Sequence, residues 1–268
     1  MKIPSFIKNN LLLKVTSANT GLVLVRMLFS LISQKALAIF IGAEGIAIVG
    51  NLKNVVGFFE QFSILGTSNG LVKYISENKD DKEQLNNLFS TVFVFSALAS
   101  IISFIVLFFW YETLNDAIFG IDKDYGFIFK VLALIVPFMG INSILNSLLN
   151  GLSAYKLFSK IGLVMAITST LVIVLLTLKL GVVGSLIAIS LIPLLQFLIY
   201  LSFSDKTYKS FIDLKGMSLK FGFKNQLLSY SLMALIVIFF SSTIDLAVRH
   251  LIENKVSVNQ NFFLDSAR

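Results

Sequence analysis

Charged side chains interrupt the first two long apolar stretches of this 268-residue chain and are its main candidates for chemistry. Arg26 and Lys35 share the first stretch, and Lys53 and Glu60 share the second. A charge costs free energy in hydrocarbon, so each position predicts a functional role or a partner. We expect Arg26 to face a ligand or a cavity, with a buried ion pair to Glu60 as the alternative. We expect Lys35 to be an anchor whose ammonium group reaches the headgroups.

Amide side chains form a second candidate set. Asn142, Asn146 and Asn150 recur every four residues and therefore share one face of a predicted helix. This stripe predicts either hydrogen bonds between helices or a polar wall for a sugar or phosphate. Lys53 and Glu60 are seven residues apart and also share a face, which must line a cavity or pack against the preceding helix.

The rest of the chain offers little catalytic chemistry. Asp245 and Arg249 are four residues apart, so a local ion pair explains both unless Arg249 has a partner elsewhere. The chain has no Cys, and its one His is His250, which excludes disulfides, thiolate metal sites and a Ser/His/Asp triad inside the fold. We therefore expect no enzymatic activity, no metal site and no cofactor.

The composition predicts the elements that must position these residues. Hydrophobic residues make up 56% of the chain and charged residues 14%, against about 25% charged in soluble domains. Nucleic-acid-binding modules and soluble enzymes are thereby excluded despite the net charge of +7. A bilayer needs about 20 apolar residues per helix, and seven runs qualify. We predict an all-α integral membrane protein whose spans cover about residues 15–42, 45–72, 92–110, 131–149, 161–178, 180–203 and 227–244.

The distribution of basic residues between these spans predicts the orientation. Alternate connections, including the amino-terminal segment, carry 13 Lys residues on one side, against 4 Lys or Arg residues on the other. The amino terminus is therefore expected in the cytoplasm. If the first span enters near Val15, the helical rise puts Arg26 about 16 Å deep, near the midplane, and Lys35 near the outer interface. Pro137 and Pro193 fall mid-span and predict kinks that suit a transporter.

Several short stretches in the same order and spacing resemble a known family. They are Gly42-Ala43-Glu44-Gly45-Ile46-Ala47 running into Asn51 and Lys53, Ser68-Asn69-Gly70-Leu71-Val72-Lys73-Tyr74, Gly181-Val182-Val183-Gly184, and Leu232-Met233-Ala234-Leu235-Ile236 leading to Arg249. The chain resembles bacterial O-antigen and enterobacterial-common-antigen flippases of the multidrug/oligosaccharidyl-lipid/polysaccharide exporter superfamily. The likeness runs from about residue 15 to about residue 252.

The resemblance implies an exporter of the bacterial cytoplasmic (inner) membrane that carries a polyprenyl-diphosphate-linked oligosaccharide outward. Membrane lipids, a proton or sodium coupling ion and the polysaccharide polymerase machinery are the other partners that it implies, and no nucleic acid is expected. Basic residues of the cavity would meet the diphosphate, and Arg26, Lys53 and Arg249 match such positions, Lys35 less closely.

The resemblance also implies a domain organisation. Residues 1–203 would form a six-helix lobe, 204–226 a basic cytoplasmic loop, 227–252 a seventh helix and 253–268 a polar tail. Relatives have two six-helix lobes, so the chain is expected to be truncated in its second lobe. The seventh helix is then expected to have no helical neighbours of its own, since the rest of the second lobe would be missing.

Two other functions remain open. A drug or small-molecule antiporter of the same superfamily would use acidic residues for cation coupling, and Glu60 and Asp245 are the candidates. A transport-inactive remnant or an accessory membrane scaffold is the third hypothesis.

Overall fold

The computed structural model describes residues 11–203, 222–234 and 236–237, with side chains from Leu22 onward. Arg249, Asp245 and His250 lie outside the described residues, as do most of the predicted seventh span and the polar tail.

Six helices and a helical segment at residues 224–234 account for nearly all of the described chain, and no β-strand occurs within it. Four of these helices, α1, α3, α5 and α6, are long and apolar enough to cross a membrane. The chain is therefore an all-α membrane protein, as predicted. The helices are α1 Leu11–Phe62, α2 Ser68–Glu77, α3 Lys82–Phe109, α4 Tyr111–Phe119, α5 Phe127–Gly151 and α6 Tyr155–Ser202.

Two glycines divide two of these four long helices, α1 and α6, into halves. Gly42 and Gly181 have φ values of 65° and 59°, in the left-handed region that glycine adopts most readily. Around Gly181 the chain folds back, because the Thr177 and Ser185 hydroxyl groups lie 2.8 Å apart. Helical backbone dihedrals continue through Pro137 and Pro193, so the non-helical dihedrals lie at glycines rather than at the predicted prolines.

The second predicted span is broken, which the sequence analysis missed. We predicted one helix over about 45–72, but α1 ends at Phe62 and α2 begins at Ser68. Leu65 and Gly66 between them have φ values of 51° and 67°. The Ser63 carbonyl group packs against Gly140, midway along α5, so the break lies near the middle of the bundle.

Residues 222–234 pack against α2 and the break. Leu227 is fully buried, and the Phe223 ring lies 5.3 Å from the Tyr74 ring. A Cβ atom on Gly70 would lie 2.7 Å from the Tyr230 ring. The described residues of the predicted seventh helix therefore contact residues 66–74 of the predicted six-helix lobe.

A short helix, α4, occupies the acidic segment that we predicted as a connection. Asn51 of α1 donates a hydrogen bond to the Ile118 carbonyl group of α4 at 2.9 Å. Lys123, which follows α4, pairs with Glu44, and this hydrogen bond raises the pKa of the Lys123 ammonium group. These contacts join the second half of α1 to the end of the bundle at which α3 ends and α5 begins.

Candidate functional site

The Arg26 guanidinium group packs against the first half of α6. A Cβ atom on Gly162 would lie 2.6 Å from Arg26 Nη1, and the Phe158 ring centroid lies 5.8 Å from Arg26 Cζ. The Arg26 Nε atom is buried without a hydrogen-bond partner in the described part of the chain. Among the described residues Arg26 forms no ion pair, so the alternative of a pair with Glu60 receives no support.

Hydroxyl groups fix the register of α1 against α6. Ser33 Oγ donates a hydrogen bond to Thr170 Oγ1 at 2.9 Å, and Thr170 Oγ1 lies 3.2 Å from the Phe29 carbonyl oxygen. Ser33 is seven residues after Arg26 and Thr170 eight residues after Gly162, so the two contacts share one helix interface. This bonded pair holds the guanidinium at the level of Gly162.

That register implies depths for both cations that differ from the predicted ones. Residues 161–178 contain no charge and follow Lys160, so Gly162 lies at the beginning of the apolar run and Thr170 near its middle. If this run spans the hydrocarbon core, Arg26 lies about 12 Å from the level of Thr170, towards one membrane boundary. On the same assumption Lys35, two residues after Ser33, lies near the midplane, whereas the sequence predicts the outer interface.

Lys53 and Glu60 lie on the face of α1 that points away from the bundle core. Both are exposed, whereas Leu52 and Phe59 beside them are buried. Lys53 lies near the end of the bundle that α4 covers, and Glu60 lies one turn before the break. Neither side chain forms an ion pair within the region that the structure describes.

The asparagine stripe divides between two kinds of contact. Asn142 is buried and donates a hydrogen bond to the Pro193 carbonyl group at 2.7 Å, which joins α5 to the second half of α6. Asn150 donates to the Asn146 carbonyl group within α5 at 2.9 Å. The interpretation as contacts between helices therefore fits Asn142, while Asn146 and Asn150 are half-buried and bonded to each other.

The sequence analysis missed four residues that hold Arg26 in place: Phe158, Gly162, Ser33 and Thr170. Small and hydroxyl-bearing residues are common in membrane helices, so no signal distinguished these four. No cluster of His, Cys, Asp or Glu that could hold a metal ion occurs among the described residues.

A family model described as "Polysaccharide biosynthesis protein" matches residues 12–258. The matched range includes every residue of the candidate site, Arg249 among them. Comparison with curated proteins and with solved structures finds no match.

Proposed function

The chain belongs to the polysaccharide biosynthesis protein family, and from this membership we propose that it is a flippase for a polyprenyl-diphosphate-linked oligosaccharide. It would move this lipid from the cytoplasmic to the outer leaflet of the bacterial inner membrane, in O-antigen or related polysaccharide biosynthesis. Its amino terminus would lie in the cytoplasm. The process breaks no covalent bond, so the protein is a transporter and not an enzyme.

The unpaired guanidinium group of Arg26 is the observation that carries the proposal. A buried or half-buried cation normally pairs with an acid, because the desolvation of an unpaired charge is costly. Arg26 has no such partner in the described region, and one edge of its guanidinium is covered by α6. A ligand that supplies negative charge would satisfy it, and the diphosphate of a membrane lipid lies at this depth.

The other polar residues would contact the lipid later, as it moves across the membrane. Lys35 near the midplane and Lys53 near the α4 end are exposed cations at successive depths. Asn146 and Asn150, at the end of α5 that lies closest to the start of α6, could bond to the sugar hydroxyl groups. Arg249 lies outside the described residues and is proposed on the family resemblance alone.

Binding of lipid probes to the purified 268-residue chain in nanodiscs tests the proposal. We expect polyprenyl diphosphate to bind more tightly than polyprenyl monophosphate, and polyprenol to bind weakly. Arg26→Ala should weaken diphosphate binding roughly tenfold or more, because a hydrogen bond to a charged group contributes about 1.5–3 kcal/mol. Arg26→Lys keeps the charge and should retain part of the affinity.

Equal binding of the diphosphate by the wild-type chain and by Arg26→Ala would contradict the role of Arg26. Equal binding of polyprenol and polyprenyl diphosphate would contradict the substrate class as well.

Cation-coupled antiport is a second candidate, and the position of Glu60 favours it. Glu60 lies one turn before the break in an apolar region. A carboxylate near the midplane can bind a proton or a sodium ion during transport. Coupling of this kind is compatible with either a lipid or a small-molecule substrate.

A further inference from the structure

Gly162 provides the flat surface on which the Arg26 guanidinium lies. A Cβ atom at this position would lie 2.6 Å from Nη1, 3.0 Å from Cζ and 3.4 Å from Nε. Real Cβ atoms do not approach other heavy atoms to 2.6 Å, so any residue larger than glycine must displace the guanidinium. Phe158 is four residues earlier on the same helix face, and its ring centroid lies 5.8 Å from Arg26 Cζ.

This contact determines which edge of the guanidinium a ligand can reach. The Nε atom is buried against α6, so its edge is closed to a ligand in the described structure. Nη1 and Nη2 form the remaining pair of donors, and two parallel N–H groups match two oxygens of one phosphate. A shift of the side chain by the width of a methyl group would misalign this pair.

We propose that Gly162 is a positioning residue for anion binding by Arg26, and this inference rests on the proposed function. Gly162 touches no ligand itself. It acts through the absence of a side chain, which lets the guanidinium lie against α6 with Nη1 beside Gly162 and Nε buried.

Replacing Gly162 with alanine should leave the fold intact. The displaced atoms are the end of a flexible side chain and not backbone, so the helices need not separate. Alanine also favours a helix more than glycine does. The Ser33–Thr170 hydrogen bond, two turns away, would keep the helix register.

Arginine labelling measures the displacement without any assay of transport. Arg26, Arg249 and Arg268 are the three arginines of the chain, so Arg249→Lys and Arg268→Lys leave Arg26 as the single target of phenylglyoxal. In this background Gly162→Ala should raise the labelling rate severalfold, because phenylglyoxal reacts with the two terminal nitrogens and the added methyl group displaces Nη1 from α6. Gly50→Ala is the matched control, since no atom lies within 4 Å of a Cβ atom there.

The binding of polyprenyl diphosphate to the otherwise unaltered chain is the second measurement. Gly162→Ala should lose most of the affinity that Arg26→Ala loses, and Gly50→Ala should lose none. In an Arg26→Lys background Gly162→Ala should have little further effect, because a lysine ammonium group does not lie flat on the α6 backbone. An effect of Gly162→Ala that requires arginine at position 26 indicates positioning of the guanidinium. General destabilisation would lower the affinity in both backgrounds.

The two measurements separate the inference from the proposed function. An unchanged labelling rate in Gly162→Ala overturns the positioning role, whatever the binding result. A second outcome is that Gly162→Ala changes the labelling rate, while Gly162→Ala and Arg26→Ala both bind polyprenyl diphosphate with wild-type affinity. This outcome overturns the proposed role of Arg26 in binding and therefore also the role of Gly162. Loss of affinity in the Arg26→Lys background as large as in the wild-type background also overturns the positioning role.

Discussion

At the scale of single residues, the inferred depths of Arg26 and Lys35 determine which part of a ligand each cation can contact. The Arg26 guanidinium lies against α6 beside Gly162, at the beginning of the apolar run 161–178, and the proposed function requires a lipid phosphate there. Lys35 is half a turn away around the helix and deeper, so it cannot share the same ligand at the same time. A headgroup that moves inward would have to leave Arg26 before it reached Lys35.

The hydrogen bond between Ser33 and Thr170 should contribute measurably to stability, because it fixes the register of α1 against α6. In a double-mutant cycle with Ser33→Ala and Thr170→Val, we expect a coupling energy of about 0.6 kcal/mol, typical of hydrogen bonds between membrane helices. Unfolding of the purified protein in a denaturing detergent measures it. Ser202→Ala, which removes an exposed bond within one helix, should show no coupling to Thr170→Val.

The sequence identified the charged residues of the site but not their neighbours. Arg26 and Lys35 are visible because a charge in an apolar run is rare. Gly162 and Thr170 resemble many other small residues of the chain, and their importance arises only when α1 lies beside α6. The depth of Arg26 is hard to predict for a related reason, since a helix longer than the bilayer can slide along its axis without changing its composition.

At the scale of the helices, the break between α1 and α2 is the feature that a transporter could use. Discontinuous helices near the midplane are common at transporter binding sites. The Ser63 and Thr67 hydroxyl groups each donate a hydrogen bond to a nearby carbonyl group at the break, which satisfies part of the backbone that the turn frees. Glu60 lies directly before it, so motion at the break would move this carboxylate.

Gly66→Ala should destabilise the protein, because Gly66 has a φ of 67° and a Cβ atom there would overlap Ala234 Cβ. The backbone conformation alone costs about 1–2 kcal/mol for alanine. Thermal unfolding in detergent should show the loss of stability. Adding Ala234→Gly removes the overlap and should restore only that part of the lost stability, not the part due to the backbone conformation. Gly50→Ala is the control and should leave the unfolding temperature unchanged. An unchanged unfolding temperature for Gly66→Ala as well would argue against the break.

Hydrophobicity located the spans well, but it could not reveal how they are interrupted. A run such as 45–72 has the same composition whether or not the helix breaks, because Leu65 and Gly66 occur equally in continuous membrane helices. The conformation at this break depends on neighbours from distant parts of the sequence, such as Gly140 beside Ser63. The turns at Gly42 and Gly181, in contrast, fall at boundaries between predicted spans, which end at residues 42 and 178 and resume at 45 and 180.

At the scale of the whole molecule, the described helices place two sets of connections at opposite ends of the bundle. Residues 120–126 lead into α5, and residues 152–154 follow it, so α5 separates them by its full length. The distribution of lysine predicts that residues 152–154 face the cytoplasm. The proposed role of Arg26 depends on this orientation, because the guanidinium lies near the end where α6 begins and would meet lipids of the cytoplasmic leaflet first.

Single-cysteine labelling tests the orientation directly, since the chain contains no cysteine. In intact cells Asp122→Cys should react with a membrane-impermeant maleimide, whereas Ser153→Cys should react only after the membrane is permeabilised. Leu134→Cys, on an exposed apolar position of α5, should remain unlabelled in both conditions because a maleimide needs a thiolate in water. The reverse pattern for Asp122→Cys and Ser153→Cys would place Arg26 at the outer leaflet, where it could only take part in release of the substrate.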